Sequence, residues 1–174
     1  DEVAALAEPI ACVVNGQEFL RISRGDSVAI FGSGFIGCMH AELARMSGAD
    51  PVILIEPQRT YNTCFFGNLY LGGFWNLEDT AFTYANLAQS GVNVIHEFAV
   101  GVDRDAKTVT LGSGATLAYD RLVVSPGIDF REDSVPGWSL AHQDVMPHAY
   151  QGGTQVALLK SQIAAMPQGG TFAM

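Results

Sequence analysis

Gly32-Ser33-Gly34-Phe35-Ile36-Gly37 is a G-x-G-x-x-G run, and an acid, Glu56, follows roughly 20 residues later. This pairing can hold a nucleoside diphosphate. Gly32 permits a tight turn, Gly34 lets the backbone approach a pyrophosphate, and Gly37 lets a helix pack close to a strand. The N-terminus of the following helix offers N–H donors and a partial positive charge. Glu56, with Pro57 after it, can accept hydrogen bonds from ribose hydroxyls. Its charge repels a 2′-phosphate, which disfavours NADP. The pattern suits the ADP half of FAD or of NAD and does not distinguish them.

The other reactive side chains are scattered. Cys12, Cys38 and Cys64 form no C-x-x-C pair, so no zinc knuckle or dithiol motif is expected. His40, His96, His142 and His148 lack ligand spacing such as H-E-x-x-H and are read as structural or solvated. No Ser-His-Asp set with a nucleophile elbow is present. No catalytic residue and no metal ligand is therefore assigned. Phe65, Phe66, Tyr70, Phe74 and Trp75 are expected to form a core lid. A net charge of −9 argues against nucleic acid as partner but permits a basic partner protein.

The elements that must position the glycine run are readable from periodicity. Residues 27–31 (SVAIF) and 51–55 (PVILI) are apolar runs of the kind found in buried parallel strands. Between them, residues 35–46 place Ile36, Met39, Leu43 and Met46 at helical spacing, with Gly48 as the stop. Residues 58–75 read as loop. Asn76 to Asp79 looks like a capping box that opens a helix running to about Ser90. Residues 92–96 and 121–124 predict two further strands, with a β-meander over 98–120. Ser125-Pro126-Gly127 closes the last strand as a tight turn. Residues 129–153 are irregular. Val156, Leu159, Ile163 and Met166 mark a final helix, and residues 171–174 look like the start of another strand.

The chain has 174 residues, 48% of them hydrophobic and 16% charged, a profile of a buried α/β globule. No apolar run reaches the roughly 18 residues that span a bilayer. Residues 1–25 predict a helical leader, with Pro9 in its first turn and Ile10, Val13 and Val14 as its apolar stripe. Residues 26–130 predict a Rossmann-like dinucleotide-binding domain of three layers, with a mainly parallel sheet and a small meander. Residues 131–174 predict a connecting segment and the beginning of a second domain that is truncated.

Two resemblances carry this further. Ala5-Leu6-Ala7-Glu8-Pro9-Ile10-Ala11-Cys12, Gly25-Asp26-Ser27-Val28-Ala29-Ile30 and the glycine run resemble the entry into the cofactor domain of zinc-dependent medium-chain alcohol and sorbitol dehydrogenases. Glu8 matches an acid that lies at the catalytic zinc in that family. One carboxylate cannot hold zinc, so Glu8 is expected to be solvated. The leader, without the catalytic domain it packs on in that family, is expected to dock poorly.

From about residue 52 onward the chain resembles the flavoprotein subunit of flavocytochrome c sulfide dehydrogenase. The matching segments include Leu54-Ile55-Glu56-Pro57, Tyr61-Asn62-Thr63-Cys64, Leu71-Gly72-Gly73, Ala118-Tyr119-Asp120-Arg121, Val123-Val124-Ser125-Pro126-Gly127-Ile128-Asp129, Pro147-His148-Ala149 and Met166-Pro167-Gln168-Gly169-Gly170. The join falls in the second strand, so the chain reads as a possible chimera.

This second resemblance implies an FAD-dependent oxidoreductase. Electrons would pass from sulfide to flavin and on to a cytochrome c subunit. It implies a covalent flavin bond at Cys64, contacts from Thr63, and a pyrophosphate-side turn at Ser125, Pro126 and Gly127. The alternative is an NAD-binding dehydrogenase domain, or an inactive dinucleotide-binding module. The flavoprotein resemblance implies a periplasmic location and the dehydrogenase one a cytoplasmic location. The family's redox-active cysteine pair is expected downstream of Met174, so this chain by itself is not expected to complete sulfide oxidation.

Overall fold

The computed structural model describes residues 6–132 and 134–171. Its elements are α1 (Ala7–Leu20), β1 (Val28–Phe31), α2 (Phe35–Met46), β2 (Val52–Ile55), β3 (Thr60–Asn62), α3 (Gly67–Leu71), β4 (Ala81–Thr83), α4 (Ala85–Gln89), β5 (Asn93–Ile95), β6 (Ala99–Asp103), β7 (Thr108–Leu111), β8 (Thr116–Ala118), β9 (Arg121–Val124) and α5 (Thr154–Ala165). They fall into two compact units. One comprises residues 1–61 and 83–127, the other residues 62–82 and 128–174. The leader helix groups with the first unit.

The first unit is built on a four-stranded sheet of order β5-β2-β1-β9. β1 runs parallel to β2, with Val28 opposite Val52, and parallel to β9, with Val28 opposite Arg121. Successive side chains point to opposite faces, and both faces are covered. Val28, Ile30, Val52 and Leu54 pack with Ala41 and Ala44 of α2 and with Tyr84. Ala29 and Ile55 on the other face pack with Val109, Leu111 and Tyr119, from the antiparallel meander β6-β7-β8 and the residues after it. Helices, parallel sheet and meander make the three expected layers. Asp120 pins the sheet edge: its carboxylate accepts from the Ser27 amide at 2.9 Å and the Ser27 hydroxyl at 2.8 Å.

Several expectations are corrected. The buried face of α2 is Gly37, His40, Ala41 and Ala44, whereas Ile36 is 40% and Met46 75% exposed. Small residues win that face because the helix must lie close to the sheet. The leader is docked: Val13 is 1% exposed, and the Gln17 amide donates to the His40 carbonyl at 2.8 Å. Ile10 and Val14 of the expected stripe lie on the outer side. Arg121 secures the end of α1 by donating from Nε to the Leu20 carbonyl at 2.6 Å, and its guanidinium also reaches Asp26 at 3.5 Å.

The helix expected from the capping box at 76–79 to about Ser90 is broken. Asp79 does cap the Asn76 amide at 2.9 Å, but only a single 3-10 turn follows, Glu78–Thr80. The chain then extends as β4, which pairs with β3, before the short α4. Strand pairing has overridden the local capping signal. Residues 58–75, expected as loop, hold β3, a 3-10 turn (Cys64–Phe66) and α3.

In the second unit, α3 and α5 pack together around Val156, which has no exposed surface. The lid is only partly a lid. Phe66 and Trp75 meet with centroids 4.6 Å apart, yet Phe74 is 79% exposed. The strand expected at 171–174 falls on residues that, apart from Thr171, lie outside the described ones.

Candidate functional site

The glycine run leaves the end of β1 and opens α2. Gly32 has φ of +81°, a region that L side chains rarely adopt. A Cβ there would collide with the Ser125 carbonyl oxygen and lie 2.8 Å from the Pro126 Cα. A Cβ on Gly37 would collide with the Gly32 carbonyl oxygen. A Cβ on Gly34 would meet nothing within 4 Å. The three glycines thus divide the work. Gly32 and Gly37 allow close packing of strand, helix and the Ser125-Pro126 turn, while Gly34 leaves open space over the backbone. Gly34 is also the N-cap of α2, which has no side-chain cap and no acid in its first turn. An uncapped helix start facing open space suits a diphosphate.

The Ser125-Pro126-Gly127 turn is brought to the same place. The Ser125 amide donates to the Phe31 carbonyl at 2.8 Å, and Gly127 turns with φ of +79°. Glu56 stands at the end of β2, its amide donating to the Ile95 carbonyl at 3.0 Å. Its carboxylate accepts from the Ser33 amide at 3.2 Å and from the Gln58 amide at 2.8 Å. Each oxygen is thereby oriented and keeps a further lone pair for a ribose hydroxyl.

Ser33 is 2% exposed and is held at every polar group. Besides the amide bond to Glu56, its hydroxyl donates to the Tyr84 hydroxyl oxygen at 2.6 Å, and its carbonyl accepts from the Cys38 thiol at 3.2 Å. Burial, and then the Glu56 charge, push the Cys38 thiol up to about 11. Burial pushes Tyr84 up to about 12, partly opposed by the Ser33 bond. Both groups therefore stay neutral at neutral pH, Cys38 as a donor to Ser33 and Tyr84 as an acceptor from it.

Residues 62–64 belong to the second unit. Thr63 is 4% exposed; its amide and hydroxyl both donate to the Thr80 carbonyl, at 2.9 and 2.8 Å. Cys64 opens the 3-10 turn with an exposed, free thiol. Gly152 and Gly153, both with positive φ, lie against Asn62.

The other sequence candidates have local roles. Glu8 accepts from the Cys12 thiol at 3.3 Å on the exposed side of α1. His96 Nδ1 lies 3.1 Å from the Glu56 carbonyl. His142 closes a capping box with Ser139. Among the described residues no cluster of His, Cys, Asp and Glu could hold a metal.

The chain matches the pyridine nucleotide-disulphide oxidoreductase family over residues 26–158. It belongs to that family. Its fold is that family's FAD/NAD-binding fold. Among solved structures, the sulfide:quinone oxidoreductase of Aquifex aeolicus superposes with a TM-score of 0.62 at 22% identity, over 81% of this chain and 33% of that one. A putidaredoxin reductase, solved in covalent complex with putidaredoxin, gives 0.64 at 20% identity over 81% and 35%. Among curated proteins, D-arabinitol dehydrogenase 1 of Uromyces fabae is 39% identical over 54 residues, 31% of this chain and 16% of the relative. The chain thus spans about a sixth of that relative and a third of the structural neighbours.

Within this pyridine nucleotide-disulphide oxidoreductase fold, sequence reasoning missed Tyr84 and Cys38. Tyr84 lies between β4 and α4, in what read as mid-helix, and no motif signals it. Cys38 carried a weak signal, standing directly after Gly37 on the helix that the glycine run opens.

Proposed function

We propose that the chain is the FAD-binding part of a flavin-dependent oxidoreductase similar to sulfide dehydrogenase flavoproteins. The observation that carries this is the convergence of three segments. The glycine run is closed by the Ser125-Pro126 turn, it leaves open space above Gly34, and Glu56 is oriented beside it by the Ser33 amide. These residues fit the ADP half of the cofactor. Gly32, Gly34 and Gly37 with the start of α2 would hold the diphosphate, and Glu56 the ribose. Bound flavin would supply two-electron redox chemistry that no side chain here provides.

Cys64 belongs to the same proposal, as the point of covalent attachment to the flavin 8α-methyl group; its exposed thiol and the Tyr61-Asn62-Thr63-Cys64 segment support it. A cytochrome c partner and a periplasmic location are further parts of it. The net charge of −9 is compatible with a basic electron-transfer partner. The structural likeness to the sulfide:quinone oxidoreductase of Aquifex aeolicus supports sulfide as the electron donor of the whole protein.

The second reading, an NAD-binding dehydrogenase domain, is favoured by the short match to a polyol dehydrogenase. An absorption spectrum of the purified protein, reconstituted with FAD, separates them. Flavin bands that co-elute with the chain support the proposal. A colourless protein that binds NADH supports the second reading. A colourless protein with affinity for neither would be an inert module. Flavin that remains with acid-precipitated protein, and becomes free in Cys64→Ala, is the expected result for the covalent bond. Acid-stable flavin persisting in that variant would remove Cys64 from the assignment.

A further inference from the structure

We infer that Tyr84 is a positioning residue for ribose recognition: through Ser33 it holds the Glu56 carboxylate in its receptive orientation. The inference rests on the dinucleotide reading above and extends it to a residue outside the glycine run. Ser33 is the middle residue of Gly32-Ser33-Gly34, yet it does not face a ligand. It is 2% exposed, and its hydroxyl is engaged by Tyr84, itself 6% exposed. The 2.6 Å separation between the two hydroxyl oxygens is at the short end for such a bond. With the hydroxyl fixed on one side and the carbonyl held by Cys38 on the other, the Ser33 amide has one direction in which to point. It points at Glu56 Oε2, 3.2 Å away.

Tyr84 also sits beside the other end of Glu56. Its ring centroid is 6.0 Å from that of His96, whose Nδ1 contacts the Glu56 carbonyl at 3.1 Å. A phenylalanine would fill the same space among Val28, Ile30 and Leu54. Burying a phenol oxygen is costly unless it is bonded, and this one is spent on Ser33. The hydroxyl therefore contributes to the orientation of the glycine run rather than to the packing of the core.

The test is Tyr84→Phe in the full chain, titrated calorimetrically with ADP and with 2′-phospho-ADP. Loss of one net hydrogen bond in the relay should weaken ADP binding roughly 3- to 10-fold. Discrimination against 2′-phospho-ADP should shrink by a similar factor, because the freed carboxylate can swing away from the added phosphate. Ser33→Ala breaks the same bond from the other side and should reproduce both effects, which covers a failure of Tyr84→Phe to fold. In a Glu56→Gln background, Tyr84→Phe should leave the discrimination unchanged, since the group it orients has lost its charge. Wild-type ADP affinity and discrimination in Tyr84→Phe, with only a lowered melting temperature, would overturn the inference and leave the dinucleotide reading standing. Effects of Tyr84→Phe that add fully to those of Glu56→Gln would also overturn it. A wild-type chain that binds no ADP would remove the dinucleotide reading, and the inference with it.

Discussion

The two units bury their apolar side chains in different ways. In residues 1–61 and 83–127 a parallel sheet is covered on both faces, and Val28, Ile30 and Leu54 have no exposed surface. Among the described residues of 62–82 and 128–174 the fully buried apolar side chain is Val156. Large apolar groups stay in solvent in both units, Phe19 at 82% and Met46 at 75% in the first and Phe74 at 79% and Ile128 at 72% in the second, so the difference lies in the buried core. The second unit is tied by side-chain hydrogen bonds between residues distant in sequence, such as the Thr63 hydroxyl to the Thr80 carbonyl and the Lys160 ammonium donating to the Tyr70 carbonyl at 2.6 Å. A contiguous buried core produces cooperative stability, while segments with few buried apolar contacts open on their own. The glycine run and Glu56 sit on the cooperative unit, where side chains can be held to the geometry that recognition needs.

The sharpest way to break the first unit is at its closest backbone approach. Gly32→Ala adds a Cβ against the Ser125 carbonyl and forces a positive φ on alanine. Strain and overpacking together should cost on the order of 4 kcal/mol. Gly34→Ala meets open space and should cost no more than about 0.5 kcal/mol in stability, while weakening ADP binding. Urea unfolding of both variants checks this. Equal destabilisation would show that the three glycines do not divide the work as the packing implies.

A milder contrast compares the two cores directly. Leu54→Ala should lower the stability of the sheet unit by about 3 kcal/mol. Val156→Ala removes two methyl groups from a smaller core and should cost about 2 kcal/mol. The difference should be clearer in where the effect appears. Amide exchange should rise across β1, β2 and β9 in the first variant, and only in α3, α5 and their neighbours in the second. Exchange rising throughout the chain for Val156→Ala would mean that the units unfold as one.

The same contrast explains what the sequence could reveal. β1, β2, β5, β9, the meander and α2 were all readable, because continuous apolar runs and glycine stops are local signals of a two-sided sheet. Gly32, Gly34, Gly37 and Glu56 were readable because their spacing is fixed by one βαβ unit. The face of α2 was not: Ile36 and Met46 are more apolar than Gly37 and Ala41, but only small residues allow the close approach to β1. The break at 81–83 was hidden because a real capping contact, Asp79 to Asn76, precedes a strand chosen by its partner β3. Tyr84 was invisible because its hydrogen bond to Ser33 joins residues 51 apart in sequence. The docking of α1 depends on Gln17 and Arg121, polar side chains that no apolar stripe predicts.

The smallest effect separates the units by pH, because each holds one histidine whose titration burial shifts downward. His40 lies in the first unit, 9% exposed. A Cβ added to Gly16 of α1 would lie 3.4 Å from its ring, and its Nδ1 has no partner. His148 lies in the second unit, with its ring 4.4 Å from that of Phe130 and neither nitrogen bonded. Desolvation lowers the pKa of both below the ordinary 6.5. The unfolded chain then binds protons more readily than the folded one, so stability increases with pH through this window. The contribution of each histidine is complete above 6.5 and is lost as pH falls from there toward the lowered folded-state value. Glu97 and Asp120 are also shifted down, by bonds from Ser113 and Ser27. Their contributions hold above the ordinary carboxylate range and are lost as pH falls through it, whereas the histidine window opens higher, at 6.5. Amide exchange followed from pH 8 to pH 5, corrected for intrinsic rate, should show added opening of α1 and α2 that His40→Gln removes. Added opening around residues 128–153 should persist in that variant and disappear in His148→Gln. If His40→Gln removed the acid response of both regions, the two histidines would report a single cooperative body, and the contrast between the units would fail.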